Sequence, residues 1–319
     1  MARYVTVSVV APRTAVLPEN MTLEERLQAM MQHWENQIAP VLPDKPDIIV
    51  LPEACDRYYY TGDFPGSKEW GEYYRLRGNR MRDFFAEMAK KNNCYIAYSA
   101  ARQAEDGFFR NSTQLIGRKG EVEGIYNKTF LVVDEGAPNG PYPMKCGSGA
   151  KIFPLDFGKV GCAICFDLNF DELRHEYMEK KPELLLFSSM YHGGFMQQAW
   201  AYDCRSWFVG AVAGQDCRII NPVGSVVATS TNYFPYVTAK INLDYAVCHL
   251  DFNWDKFRAA KAKYGSKVGF FDPGKTGAAL LTSETDEFTV MDIVKEFDIE
   301  LLDDYFERSR ISQRSRIEP

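Results

Sequence analysis

The sequence predicts an α/β protein in which a mixed sheet carries helices on its outer faces. Three observations lead there. Short apolar runs of strand length alternate along the chain with amphipathic stretches of helical period. The 319 residues are 46% hydrophobic and 25% charged, an ordinary globular balance with apolar surface for a large core. No Ser/Gly/Pro-rich linker breaks the alternation, so residues 1–250 read as one domain with a remote internal duplication, followed by an extension over 251–319.

Tyr4-Val5-Thr6-Val7-Ser8-Val9-Val10 reads as the first strand. Thr22-Leu23-Glu24-Glu25 is a capping box, and the helix it opens places Leu27, Met30, Met31, Trp34 and Ile38 on one face before Pro40 and Pro43 end it. Asp47-Ile48-Ile49-Val50-Leu51, stopped by Pro52, is a buried strand. A helix over 69–91, a strand at 94–100, and strands at 111–118 and 124–128 joined by the Lys119-Gly120 turn complete the first half. The second half reads as strands at 152–157 and 159–165, a helix at 171–180, a strand at 184–189 and a helix at 197–206. Strands at 208–212, 218–221 and 226–230 close it. Beyond Leu250 the composition turns charged and helical, as in a solvated extension that packs on the domain or on a partner subunit.

Charge excludes one class of partner. A net charge of −6 and a pI near 5.4 have the wrong sign for tracking a phosphate backbone, and Arg308, Arg310, Arg314 and Arg316 are too few to reverse that. No run approaches the ~18 apolar residues of a membrane helix, so no membrane partner is expected. The N-terminus is too polar for a signal peptide, which makes the cytoplasm the expected compartment. The eight cysteines form no CxxC pair and have no histidine at zinc-finger spacing, so neither a disulfide framework nor a metal site is expected. Most read as small buried hydrophobes.

Cys165 is different. It ends the apolar run from Lys159 and meets Asn169-x-x-Glu172, which reads as a capping box for the next helix. Free N–H groups and the dipole at a helix start favour a thiolate. Period-two alternation puts Cys162 with Val160 and Ile164, and sets Cys165 with the small Gly161 and Ala163, leaving room at the sulfur. Taken alone, a cysteine at a strand end is more often a packing residue. Glu53 follows one strand, Lys128 ends another, and Glu135 lies in the next loop. Separately each reads equally well as a salt bridge or a solvated charge. In α/β sheets, however, functional groups gather at the carboxyl ends of strands, where these residues would converge.

Glutamate at a strand end, lysine about 75 residues later and cysteine at an elbow about 37 further on resemble the nitrilase, or carbon-nitrogen hydrolase, superfamily. The matching motifs are Leu51-Pro52-Glu53, Tyr126-Asn127-Lys128-Thr129-Phe130-Leu131 and the run from Gly161 to Phe170, with Arg110-Asn111-Ser112 and Asn221-Pro222-Val223-Gly224 as further landmarks. The resemblance covers residues 4–250 and implies a four-layer α-β-β-α sandwich. It implies Cys165 as nucleophile, Glu53 as general base, and Lys128 with the Phe166 N–H as oxyanion donors. Glu135 would be the family's second glutamate, orienting the lysine or the substrate. It also implies no metal or organic cofactor, and a homodimer or higher homo-oligomer, for which the aromatic stretch 195–207 is a candidate surface.

The implied substrate is a small amide or N-carbamoyl compound rather than a nitrile, because nitrile-cleaving members commonly have Trp where this chain has Phe166. Tyr59, Tyr60, Phe166, Asn169, Met190, Tyr191 and His192 are the candidate substrate-binding residues. Asn169 and Asp171 depart from the Arg and Pro of many amidases, leaving Arg205 as another possible carboxylate partner. A Cys-His hydrolase using His192, nitrile hydrolysis, acyl transfer to an amine, and a catalytically silent binding homologue are the competing readings.

Overall fold

The computed structural model describes residues 1–314, 316 and 317; Ser315, Glu318 and Pro319 of the C-terminal extension lie outside the described residues. The chain divides into a larger unit, residues 6–240, and a smaller one formed by residues 1–5 and 241–319.

The first half begins with β1 (Tyr4–Val10), the short β2 (Ala15–Val16), α1 (Leu23–Ile38), β3 (Ile48–Val50) and the short β4 (Tyr58–Tyr59). It continues through α2 (Ser67–Arg77), α3 (Arg80–Asn92), β5 (Tyr95–Gln103), β6 (Phe109–Ile116) and β7 (Val122–Asn127). The second half has β8 (Ile152–Leu155), β9 (Gly158–Ile164), α4 (Asp171–Lys180), β10 (Leu184–Ser189) and α5 (Met196–Cys204). Then follow β11 (Trp207–Val212), β12 (Arg218–Ile220), β13 (Val226–Thr229) and β14 (Tyr236–Asn242).

Two six-stranded sheets result, ordered β14-β1-β3-β5-β6-β7 and β13-β12-β11-β10-β9-β8. β1, β3 and β5 run parallel, as do β9, β10 and β11, so each sheet has a central set of carboxyl ends pointing one way. Alternation then sorts the side chains. Ile49, Leu51, Ile96 and Tyr98 meet Leu27, Trp34, Tyr73 and Phe85 of the first helical layer. Leu185, Phe187 and Phe208 meet Tyr177 and Trp200 of the second. On the opposite parity, the Ser188 hydroxyl of β10 donates to the Leu51 carbonyl of the other sheet at 2.8 Å, so the two sheets face one another. This is the four-layer α-β-β-α sandwich.

The Thr22 capping box forms as expected, with Glu25 reaching back to the Thr22 N–H. The helix expected over 69–91 is instead two, because Gly78 takes a φ of 52° and caps α2. The smaller unit is not purely helical. It holds β15 (Tyr245–His249), α6 (Trp254–Tyr264), β16 (Val268–Phe271), β17 (Ala278–Ser283), α7 (Val290–Glu296) and α8 (Leu302–Arg314). Its strands form an antiparallel sheet ordered β15-β17-β16 around Cys248, Phe257 and Leu281. Short strands such as Val268–Phe271 carry too few residues to stand out from a charged background.

Candidate active site

Glu53 lies just beyond β3, Lys128 just beyond β7, Cys165 just beyond β9 and Met190 just beyond β10. Glu53 is 5% exposed and Lys128 1%, so neither charge is stable there without a partner. The Lys128 ammonium donates to Glu53 Oε1 at 2.9 Å and to Glu135 Oε2 at 2.8 Å. Asn111 Nδ2 donates to Glu53 Oε1 and to Glu135 Oε1, both at 2.7 Å. Glu53 Oε2 accepts the Met190 N–H at 3.2 Å. The four side chains close a ring of two carboxylates, one ammonium and one amide. Burial opposes the Lys128 charge, but Glu53 and then Glu135 outweigh it and raise its pKa above the usual lysine range. Burial likewise opposes the Glu135 charge, and Lys128 outweighs it to hold Glu135 low.

Cys165 takes a φ of 49°, a left-handed conformation that a side chain adopts only when its surroundings impose it. Ala54, next to Glu53, and Asp134, next to Glu135, do the same at 49° and 71°. The chain therefore bends sharply at three of the four charged or nucleophilic positions. The Cys165 thiol lies close enough to the Glu53 and Ser189 side chains for both to act on its titration. Burial first and the Glu53 charge second, opposed by Lys128, push this thiol up to about 11.

Three local expectations are corrected here. A 3-10 turn over Cys165–Asn169 separates the sulfur from α4, so no α-helix start lowers its pKa. Asn169 caps nothing: Phe170 is the N-cap residue of α4, without a side-chain bond, while Asn169 Nδ2 donates to the Phe166 carbonyl at 3.1 Å. The space above Gly161 belongs to the scaffold, since a Cβ there would meet Tyr177 at 2.7 Å and Leu185 at 2.8 Å. Cys162, fully buried, is core as expected.

Two residues that hold the site together escape sequence reasoning. Asn111 had a signal, the Arg110-Asn111-Ser112 landmark, but no role. Asp167 is a fully buried carboxylate two residues after Cys165. Its Oδ1 accepts the Thr129 and Phe130 N–H groups at 3.0 and 2.8 Å; its Oδ2 accepts the Tyr126 hydroxyl at 2.7 Å and the Ile164 N–H at 3.0 Å. It thereby ties the turn after Lys128 to the strand end before Cys165. Burial, partly offset by these donors, pushes Asp167 up to about 6.

The candidate substrate residues divide. Met190 is at the site through its N–H, and Tyr191 lies beside Asn169 within electrostatic reach of Cys165 and Lys128. The Phe166 ring packs edge-on to Phe170, which stacks on Phe130 at 3.7 Å. Tyr59 instead pairs with Val16 and packs on Phe64, and Tyr60 is bound to Glu69. The His192 Nε2 stands 3.2 Å from Asp216, and its Nδ1 accepts the Gly194 N–H at 3.1 Å. Both ring nitrogens thus face Asp216 and Gly194, and among the described residues no contact of His192 with Cys165 supports the Cys-His reading.

The family model for carbon-nitrogen hydrolases matches residues 13–247. Among curated proteins the chain is 26% identical over 220 residues to the omega-amidase NIT2 of Danio rerio, covering 62% of this chain and 77% of that protein. It is 22% identical over 218 residues to the omega-amidase NIT2 of Homo sapiens, covering 61% and 76%. Among solved structures it resembles the C. elegans NitFhit protein, with a TM-score of 0.63 at 18% identity over 83% of this chain and 66% of that one. It also resembles Saccharomyces cerevisiae Nit3, of the nitrilase superfamily, with a TM-score of 0.60 at 16% identity over 75% and 90%.

Proposed function

Because this chain belongs to the carbon-nitrogen hydrolase family, we propose that it hydrolyses a small amide or N-carbamoyl compound through a thioester on Cys165. One observation carries the reading: a thiol held at a strained elbow, against a buried carboxylate that shares its oxygen with a buried ammonium. With the thiol pushed up to about 11, little thiolate exists at neutral pH, so attack requires a base at the sulfur. Glu53 takes the proton as Cys165 attacks the carbonyl carbon. Lys128 and the Phe166 N–H receive the oxyanion, one such donor being worth ~3 kcal/mol of barrier. Glu53 then passes the proton to the departing nitrogen, and water activated by the same carboxylate releases the acid. Glu135 and Asn111 hold Lys128 and Glu53 in register.

The curated relatives named above are omega-amidases, which supports an amide over a nitrile. An attacked amide also places full charge on oxygen, where Lys128 can receive it, whereas a nitrile develops charge on nitrogen along a different line. The proposal extends to a cytoplasmic homodimer or higher homo-oligomer working without a cofactor.

Ammonia release from matched short amides, N-carbamoyl compounds and nitriles tests the reading. The wild type should turn over amide or carbamoyl compounds, Cys165→Ala should turn over none, and Cys162→Ala should retain most of the rate. Faster turnover of a nitrile than of its amide, or persistence in Cys165→Ala, would overturn it.

A further inference from the structure

The residues that end β10 are each committed. The Ser188 hydroxyl donates to the Leu51 carbonyl at 2.8 Å, and the Met190 N–H donates to Glu53 Oε2 at 3.2 Å. Ser189, between them, pairs with Val212 of β11, and its carbonyl accepts the Ala213 N–H at 3.0 Å. Its backbone is therefore fixed. On the other flank Ser188 stands opposite Ile164 of β9, so the next residues of these parallel strands, Ser189 and Cys165, leave the sheet side by side.

Ser189 is fully buried, and the mechanism above gives it no part. Its oxygen accepts the Tyr191 N–H at 3.0 Å, and its one proton goes to the Tyr191 carbonyl at 2.6 Å. The N–H holds the oxygen in place, while the proton is free to turn about the Cβ–Oγ bond. The sulfur has need of it. Lys128 and then Ser189 favour charge on Cys165, against burial and Glu53. Lys128, however, is shared between Glu53 and Glu135 and is also the donor assigned to the oxyanion. A buried thiolate without a donor of its own is costly.

We propose that the Ser189 hydroxyl turns from the Tyr191 carbonyl to the Cys165 sulfur whenever that sulfur carries charge. The inference rests on the thioester reading above and deepens it. Charge develops on sulfur twice. In acylation Glu53 takes the thiol proton as the sulfur attacks. In deacylation water adds to the thioester carbon and gives its proton to Glu53; the C–S bond then breaks with its electron pair on sulfur, and Glu53 returns the proton there. Ser189 lends a hydrogen bond at both moments and keeps its own proton.

Alkylation by iodoacetamide at pH 8–9 reads the thiolate without any substrate. Ser189→Ala should slow it at Cys165 by about tenfold or more, as expected for a lost hydrogen bond to a charged group. The sign is diagnostic, because removing Oγ opens space at the sulfur and would by access alone speed the reaction. Ser189→Thr, which keeps the hydroxyl, should restore most of the rate. On a small amide, Ser189→Ala should lower kcat by a similar factor and leave KM near wild type, whereas a residue that only shapes the Tyr191 turn would show in KM. Equal or faster alkylation in Ser189→Ala overturns the proposal, as does a Ser189→Thr as slow as Ser189→Ala. A crystal structure of the wild type with Ser189 Oγ out of hydrogen-bonding reach of the Cys165 sulfur overturns it too, whatever the variants do. These results defeat the role of the hydroxyl alone, whereas turnover that persists in Cys165→Ala defeats the thioester reading beneath it.

Discussion

The side-chain amide of Asn111 donates to the Glu53 carboxylate at 2.7 Å across 58 residues of sequence. The same nitrogen donates to Glu135 at 2.7 Å, so a neutral group helps Lys128 hold two carboxylates together. One ammonium cannot neutralise both. A second donor without charge orients them and leaves Glu53 a base.

Asn111→Ala should therefore lower kcat about 10- to 100-fold, the cost of a lost hydrogen bond to a charged group. Asn111→Asp should be worse, because it sets a third carboxylate against Glu53 and Glu135. Steady-state kinetics on both variants check this, and wild-type activity in Asn111→Asp would refute it.

Asp167→Asn should destabilise the fold by about 2–4 kcal/mol, since it replaces one of two oxygens that accept buried backbone N–H groups with an amide donor. Tyr126→Phe, which removes a single donor, should cost about 1 kcal/mol. Asp167 titrates higher folded, at about 6, than its ordinary 3.8. The folded state thus binds this proton more tightly, and the group's contribution is full below pH 3.8 and lost as pH rises through about 6. Denaturant titrations across pH 4–7 should show that slope in the wild type and its absence in Asp167→Asn.

How much of this was legible in sequence depended on range. The apolar runs of β3, β9 and β10 and the cap at Thr22 declared themselves, because burial and capping are written in neighbouring residues. Glu53, Lys128, Glu135 and Cys165 became a group only through their shared order and a family resemblance. Asp167 stayed hidden because its partners are backbone N–H groups, which no residue identity advertises. The partners of Tyr59 and Tyr60 are not legible from their proximity to Glu53 in sequence, which says nothing of which way a loop turns; Glu69, nine residues on, binds Tyr60. The small Gly161 suggested space for a ligand, and Tyr177 fills it.

Alkylation of Cys165 by iodoacetamide should rise steadily with pH toward an apparent pKa of about 11, because burial and then Glu53 disfavour the thiolate. A rate already at its plateau near pH 7 would indicate a preformed thiolate ion pair and contradict the role given to Glu53.

Assembly gives a further expectation. Of the stretch 195–207, Trp200 and Trp207 are buried within the subunit and Phe195 is 74% exposed. Light scattering at micromolar concentration should give a dimer or larger, and Phe195→Asp should weaken it if that stretch forms the contact. A wild-type monomer would refute the homo-oligomer.

The central claim, a thioester on Cys165, is tested most directly by rapid-quench mass spectrometry of the wild-type enzyme turning over a small amide. The account predicts a transient adduct equal to the amide less ammonia, located on the peptide that contains Cys165 and absent in Cys165→Ala. Turnover that continues in Cys165→Ala, or an adduct carried by another residue, would contradict it.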